Sequence, residues 1–295
     1  MQLINEKNTN NKTMKTIAIL LTVFNRKEKT LECLKRIYQQ LNIENLKLEI
    51  YLTNDGCTDG TPEAIKKLYP DVNIIEGSGN LYWNRGMYTA WEEASKKNFD
   101  FYLWLNDDTI IYPNSISFAI NASLQKENKA IIVGATVSST DNISTYGGRL
   151  KNNSIPSLNN SNDLTPISYF NGNFVLIPRF VFKILGNLDY NFQHSKGDFD
   201  YGLRAQKNNI QMYQLNKYIG ICDSHPTLDS WCNPQIPLQK RLKLLNRPNA
   251  MPPKETFYFD LKHKNHIIAC WHFLTVYLRC FFPRVWIWLG KAYQQ

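Results

Sequence analysis

Phe101-Tyr102-Leu103-Trp104-Leu105-Asn106-Asp107-Asp108 is a run of five apolar residues that gives way at once to an amide and two adjacent carboxylates. A run this short and this apolar reads as a strand buried on both faces. Its polar end then emerges at the carboxyl edge of a sheet, where open α/β sheets bind ligands. Paired carboxylates there suit a hard divalent cation such as Mg2+ or Mn2+, which takes oxygen ligands and is commonly shared between one or two carboxylates and substrate phosphates. The same triplet also reads as a solvated acidic turn, so its neighbours have to decide between the two.

Upstream, the sequence repeats the strand-to-loop pattern. Residues 16–22 predict a first buried strand, Asn25-Arg26 a polar loop, and residues 29–41 a helix whose Leu31, Leu34, Ile37, Tyr38 and Leu41 recur at helical spacing. A second strand over 48–53 runs into Asn54-Asp55-Gly56-Cys57-Thr58-Asp59-Gly60-Thr61-Pro62, rich in turn formers and suited to start a helix with Thr61 as cap and Pro62 at the first position. A strand over 72–76, a helix over 87–97 and a strand over 99–105 follow. Strands alternating with helices at this spacing predict an α/β fold with a mostly parallel central sheet and flanking helices. Beyond the triplet come a strand over 131–137, a polar loop or short hairpin over 138–166, a strand over 169–177, helices over 179–185 and 197–207, and a strand over 211–222.

The composition is that of a globular chain of 295 residues with a net charge of +9 and 13% aromatic residues. The positive balance favours anionic partners. No zinc-finger spacing, RNP-type aromatic pattern or basic run points to nucleic acid. Six cysteines (Cys33, Cys57, Cys222, Cys232, Cys270, Cys280) form no CxxC pair, which suits a reducing cytoplasm. Residues 1–15 read as a polar leader and residues 226–295 as a separate extension. In that extension prolines give way to a long helical region from about 255 to 289, with Phe257, Ile267, Trp271, Leu274, Leu278, Trp286 and Trp288 set among Lys262, Lys264, Arg279, Arg284 and Lys291. Aromatic residues beside cations suit a membrane interface, but His272, Arg279, Pro283 and Arg284 interrupt any spanning segment. Such helices equally suit packing on the main domain or on a second subunit of a homodimer.

Arg26 follows the first strand, where a guanidinium and a helix N-terminus could meet one diphosphate. Asp55 is placed to accept hydrogen bonds from a base or ribose edge, and Asp59 to cap the next helix. Gly77-Ser78-Gly79-Asn80-Leu81-Tyr82-Trp83-Asn84-Arg85-Gly86 lets backbone approach a ligand and offers Asn80, Asn84 and Arg85. It lacks the Gly-Lys-Ser/Thr ending of a P-loop.

Taken in order, these loops resemble the family 2 inverting glycosyltransferases of GT-A fold. Leu20-Leu21-Thr22-Val23-Phe24-Asn25-Arg26 looks like the family's opening strand and loop, Thr53 to Thr61 like its nucleotide-binding turn, and Leu105-Asn106-Asp107-Asp108 like its DxD metal motif. Gly186-Asn187-Leu188-Asp189 and Gly197-Asp198-Phe199-Asp200-Tyr201-Gly202-Leu203-Arg204 are similar to its acceptor-side segment. Gly79-Asn80-Leu81 with the acidic triplet is closest to rhamnosyltransferase-like members.

The resemblance implies a GT-A (Rossmann-like) domain over 16–225, with a nucleotide-binding half to about 110 and an acceptor half over 111–225. It implies transfer of a sugar from a nucleotide-diphosphate donor to a hydroxyl of a glycan or lipid-linked acceptor, in bacterial surface polysaccharide synthesis, in the cytoplasm or peripherally on the inner face of the membrane. Thr22, Phe24, Asn25, Arg26, Asp55, Gly79, Asn80, Arg85, Asn106 and Asp107 would then face the donor. Asp108 and His225 would hold Mg2+ or Mn2+, and Asp198 would be the catalytic base. Gly172, Asn173 and Phe174 would line the cleft, and Asp200 and Arg204 would brace it. Two positions depart from the pattern, Asn106 at the first DxD position and Gly197 at the first acid of the acceptor segment. They leave open a non-catalytic nucleotide- or glycan-binding module.

Overall fold

A computed structural model describes residues 14–40, 45–224 and 230–289. In chain order the strands are β1 (Lys15–Val23), β2 (Leu46–Asn54), β3 (Asn73–Glu76), β4 (Phe101–Leu105), β5 (Ile110–Ile111), β6 (Ile131–Val137), β7 (Gly148–Arg149), β8 (Leu164–Pro166), β9 (Tyr169–Phe170), β10 (Phe174–Pro178) and β11 (Met212–Ile221). The α-helices are α1 (Lys27–Tyr38), α2 (Thr61–Leu68), α3 (Tyr82–Ser95), α4 (Ser115–Gln125), α5 (Arg179–Leu185), α6 (Gly197–Lys207), α7 (Leu238–Leu245), α8 (Pro253–His263), α9 (His266–Phe281) and α10 (Pro283–Trp288).

The central sheet runs β3-β2-β1-β4-β10-β6-β11-β5, with β8 added to β11, and flanking helices cover both faces. Strands β3, β2, β1 and β4 are mutually parallel, as are β6 and β11. Along β1, Ile17, Ile19, Leu21 and Val23 join one core with α1, α2 and α4, while Ala18 and Leu20 join the other with α3 and α6. A strand buried on both faces carries no polar alternation, which is why the run reads as uniformly apolar.

Strand β10 enters antiparallel between β4 and β6, with Phe174 opposite Leu105. Its beginning, not its end, therefore lies at the edge where β1 to β4 finish. The apolar stretch over 169–177, expected as one strand, is two: Asn171-Gly172-Asn173 interrupts it, and β9 pairs instead with β7.

Several boundaries differ from expectation. Helix α3 starts at Tyr82, five residues before Met87, because residues 82–86 are helical in spite of Asn84 and Gly86. Helix α2 has Gly60 at its N-cap with φ +79, and Thr61 is already inside the helix. Asp59 supplies the cap instead, its Oδ1 accepting from Thr61 N at 3.1 Å and Thr61 Oγ1 at 2.5 Å. Helices α4 and α7 and strand β5 carried no clear sequence signal. Leu41, placed in the first helix by its spacing, and the residues of the polar leader before Met14 lie outside the described residues.

The long helical region expected over 255–289 is three helices, α8, α9 and α10, rather than one. Helix α8 docks on α6, and α7 and α9 enclose a small core of Trp231, Leu244, Leu245, Val276 and Cys280. Among the described residues no helix is long and apolar enough to cross a membrane. All six cysteines are free thiols.

Candidate active site

The parallel register brings the carboxyl ends of β1, β2, β3 and β4 to one edge, since Val23 pairs with Asn54, Asn54 with Glu76 and Leu20 with Trp104. Loops leaving this edge are tied to one another. Asn25 Oδ1 accepts from Thr58 N at 2.7 Å, and Asp55 N donates to Val23 O at 3.0 Å. Asn25 holds a positive φ of 50°, a conformation asparagine tolerates better than most residues. Thr22 and Thr53 pack under α3, where Thr53 Oγ1 donates to Gly86 O at 2.8 Å. Phe24 projects outward, 53% exposed.

Arg26 reaches across from this loop to the acidic triplet. Its Nη1 lies 2.5 Å from Asp108 Oδ2 and its Nη2 3.2 Å from Asp107 Oδ1. Asp107 is buried beneath α1, where Thr30 Oγ1 donates to its Oδ2 at 3.2 Å. Burial pushes the Asp107 carboxyl up to about 7 against the pull of Arg26, and adjacent Asp108 adds to the rise. Asp107 therefore faces inward and positions Arg26. Asp108, whose side chain is 7% exposed, also accepts from Cys222 Sγ at 3.7 Å at the end of β11. Burial and the Asp108 charge hold the Cys222 thiol up at about 12, so it remains a neutral donor.

Asn106 is turned the other way. Its Oδ1 accepts from Trp83 Nε1 at 2.7 Å, and its backbone N donates to Asn173 O at 3.1 Å. An amide oxygen serves this indole donor without adding a third buried negative charge to the strand end, which gives the first departure from the family pattern a local account. Trp83 in turn packs so closely on Gly172 that a Cβ there would stand 2.4 Å from its ring.

Gly172 leads on to Asp198. Its backbone N donates to Asp198 Oδ2 at 3.0 Å, and Phe199 N donates to Asp198 Oδ1 at 2.8 Å. Asp198 is half-buried in the first turn of α6. Burial pushes its carboxyl up to about 6, even though both backbone donors and nearby Arg149 favour the anion. Gly197 leaves room for the fully buried Asn84 side chain, whose Nδ2 donates to Asp189 O at 2.8 Å and Phe192 O at 2.7 Å. A longer residue at 197 has no space, so the second departure is also steric.

Behind Asp198 the brace expected of Asp200 and Arg204 is present. Asp200 is fully buried; Arg204 Nε lies 2.9 Å from its Oδ2, and Lys262 Nζ and His263 Nε2 each lie 2.7 Å from its Oδ1. Burial alone would raise this carboxyl, but His263, Lys262 and Arg204 hold it below the usual range. Lys262 also lies 2.6 Å from Asp189, so α8 is bound to α6 and to the loop before it by two carboxylates.

Three residues expected at the donor are engaged elsewhere in the protein. Asp55 Oδ1 accepts from Gly79 N and Leu81 N, and its Oδ2 from Leu81 N and Tyr82 N, at 2.8 to 3.1 Å. It fixes the Gly79 turn and the start of α3 from a buried position, rather than lying open to a base. Arg85 donates to Tyr190 O at 2.9 Å and stacks on the Tyr190 ring, so its guanidinium lies on the 189–193 loop. Asn80 is exposed and accepts from Gln193 Nε2 at 2.7 Å through its carbonyl. His225, the second expected metal ligand, lies outside the described residues.

Among the described residues no group of three or more His, Cys, Asp or Glu forms a metal cage. Mg2+ and Mn2+ need only one or two carboxylates when phosphates and waters complete the shell. Asp108 fits a cation that shares its shell with a diphosphate, and the pairing with Arg26 shows how strongly this spot attracts positive charge. Thr30, Cys222 and Arg149 were missed by sequence reasoning. Each gains its place only through contacts more than 25 positions away, which no local pattern records.

A family model described as glycosyl transferase family 2 matches residues 18–186. No curated protein sequence matches the chain. Among solved structures, the mannosyltransferase PcManGT from Pyrobaculum calidifontis, in complex with GDP-Man and Mn2+, aligns with TM-score 0.56 at 13% identity over 95% of this chain and 84% of that one. Residues 1–349 of S. aureus TarS align with TM-score 0.53 at 12% identity, over 87% of this chain and 71% of that one. The same TarS segment in complex with UDP gives TM-score 0.51 at 12% identity, over 85% and 71%. At such identities the likeness is one of fold.

Proposed function

Because the chain belongs to glycosyl transferase family 2, we propose that it is an inverting, divalent-metal-dependent glycosyltransferase acting on a hydroxyl of a glycan or lipid-linked acceptor. Its setting is the cytoplasmic assembly of a bacterial surface polysaccharide. The observation that carries this reading is the placement of Asp198 across the Trp83–Asn106–Gly172 bridge from the Arg26–Asp107–Asp108 cluster.

Inversion requires the acceptor oxygen to attack the anomeric carbon from the face opposite the departing diphosphate, so base and phosphate site must lie on opposite sides of the sugar. Asp198 takes the proton from the acceptor O–H as the new C–O bond forms. Its elevated pKa of about 6 makes it a stronger base than an ordinary aspartate while leaving it mostly ionised at neutral pH. As the C–O bond to the diphosphate breaks, negative charge grows on the leaving group, and the Arg26 guanidinium can transfer its donors to phosphate oxygens. Asp107 keeps Arg26 from swinging out of reach. Asp108 would hold Mg2+ or Mn2+ together with the diphosphate, and that ion supplies charge neutralisation. Trp83 and Gly172 form the floor on which the sugar would rest between the two sides.

The test is a thermal-shift screen of UDP-, dTDP- and GDP-sugars with Mg2+ or Mn2+, followed by turnover of the donor that binds, with Asp108→Ala and Asp198→Ala in parallel. The expected result is metal-dependent stabilisation by one donor class, lost in Asp108→Ala and kept in Asp198→Ala, with turnover lost in both. Full turnover by both variants would overturn the residue roles.

A further inference from the structure

The positive charge of the chain is unevenly placed. Residues 230–289 carry nine Lys or Arg against Glu255 and Asp260, a balance of +7 within the total of +9. Residues 1–229 hold 24 basic and 23 acidic residues, a balance of +1. The cationic segment also bears the largest run of exposed apolar side chains. Helix α9 buries Ala269, Val276 and Cys280 and turns Ile267, Trp271, Leu274 and Leu278 outward at spacings of four, three and four. Such spacing puts them on one face of a helix. Beyond α9 the exposed apolar surface continues through Phe282 and, in α10, to Trp288, and these side chains remain 49–82% exposed.

Exposed apolar runs of this length on a water-facing helix mark an interaction site. At 16 residues α9 is about 24 Å long, short of the roughly 20 residues that span a bilayer. Cations flank the apolar face. Arg279 stacks on Trp286, and a cavity of about 230 Å3 on the side of α9 is lined by Lys196, Lys264, His272 and Arg279, with Asp260 as its acidic member. Asp260 is already paired with Lys264 at 2.9 Å and His272 at 2.7 Å.

We propose that this face docks the protein on an anionic phospholipid bilayer, with α9 and α10 lying in the plane of the headgroups, their apolar side chains inserted and the surrounding cations meeting lipid phosphates. A helix with a strongly apolar face, interfacial tryptophans and a cationic border lies in the interface rather than across it. A second copy of the chain explains the surface less well, because pairing two such faces brings two segments of +7 together. Docking does not depend on the transferase reading.

Flotation of the full chain with vesicles of phosphatidylcholine alone, or of phosphatidylcholine with about one third phosphatidylglycerol, tests the assignment. Binding to the anionic vesicles and little to the neutral ones is expected. About 0.5 M NaCl should weaken it severalfold, since each Lys or Arg near such a surface strengthens binding about fivefold at low salt. Trp271→Ser with Leu278→Ser should lower the partition at least tenfold, with unchanged melting temperature and unchanged nucleotide-diphosphate binding. Absence of binding to anionic vesicles at low salt, equal binding to both vesicle types, or equal binding by the double variant overturns the proposal. So does a dimer in light scattering that the double variant dissociates, with no vesicle binding by the parent protein. Nucleotide binding in the same samples reports separately on the transferase reading.

Discussion

Replacing Gly197 by alanine is the sharpest test of how α6 is seated against α3. A Cβ at 197 would lie 1.7 Å from Asn84 Oδ1 and 2.5 Å from its Cγ. Asn84 cannot move aside without breaking the hydrogen bonds to Asp189 O and Phe192 O, because its side chain is fully buried. Overpacking of this kind costs about 1–3 kcal/mol. Weakening two buried hydrogen bonds adds about 1 kcal/mol each, while the lower entropy of unfolded alanine returns roughly 0.5–1 kcal/mol. The net expectation is a loss of about 2–4 kcal/mol, read by urea denaturation followed by circular dichroism. In an Asn84→Ala background the nearest remaining Asn84 atom is the Cβ at 3.2 Å, and the cost of Gly197→Ala should fall below about 1 kcal/mol, a coupling that a double-mutant cycle isolates. Gly197→Glu, which writes the family's usual acid back into the segment, should be less stable still. The reasoning fails if Gly197→Ala is as stable as the parent protein, or if its cost is the same in both backgrounds.

Asp198→Asn should lower turnover by about 10²–10⁴ with donor affinity unchanged in calorimetry. In the parent enzyme kcat/KM should fall with unit slope as pH drops below about 6, since the Asp198 carboxyl must be ionised to accept a proton; a pH-independent rate between 5 and 8 would exclude it as the base. Asp108→Ala should remove metal-dependent nucleotide-diphosphate binding, whereas Asn106→Ala, which loses the indole hydrogen bond, should weaken it only severalfold; similar losses in both variants would contradict the division of roles. The Asp189 carboxyl, although burial raises it, is held down at about 2 by Lys262, Asn191 and Tyr258. Its contribution, at most about 2 kcal/mol, is therefore present above pH 4 and lost as pH falls towards 2. In Lys262→Met much of this acid-side slope should disappear from tryptophan-monitored unfolding.

The candidate donor half was the more legible in the sequence because parallel strands deliver their polar residues just beyond an apolar run. Arg26 and Asp108 each stand three residues past such a run. The acceptor half reads poorly for the opposite reason. Strand β10 is reversed, so Gly172 and Asn173 precede an apolar run, and only the resemblance to a family directed attention to them. Asp55 illustrates a second limit: its position at the edge was right, but a buried carboxylate beside unsatisfied backbone N–H groups binds those first. Only the resemblance to a family separated adjacent Asp107 and Asp108 in sequence, giving the metal to Asp108. The contact with Thr30 identifies the inward one. Helix α4 went unseen because its small residues, Ser115, Ala119, Ala122 and Ser123, bury without any strong apolar period.

Asp200 stands two residues beyond Asp198 on the same helix, and two of its three side-chain partners, Lys262 and His263, belong to α8. A chain shortened before Pro253 would remove Lys262 and His263 and leave that carboxylate with Arg204 alone. Loosening would begin in the first turn of α6, which carries Asp198. Trimming the C-terminal helices would therefore disturb α6 and the 189–193 loop first and leave the loops at the ends of β1 to β4 comparatively intact. The segment that looks dispensable in a linear map is the foundation of the helix that carries Asp198.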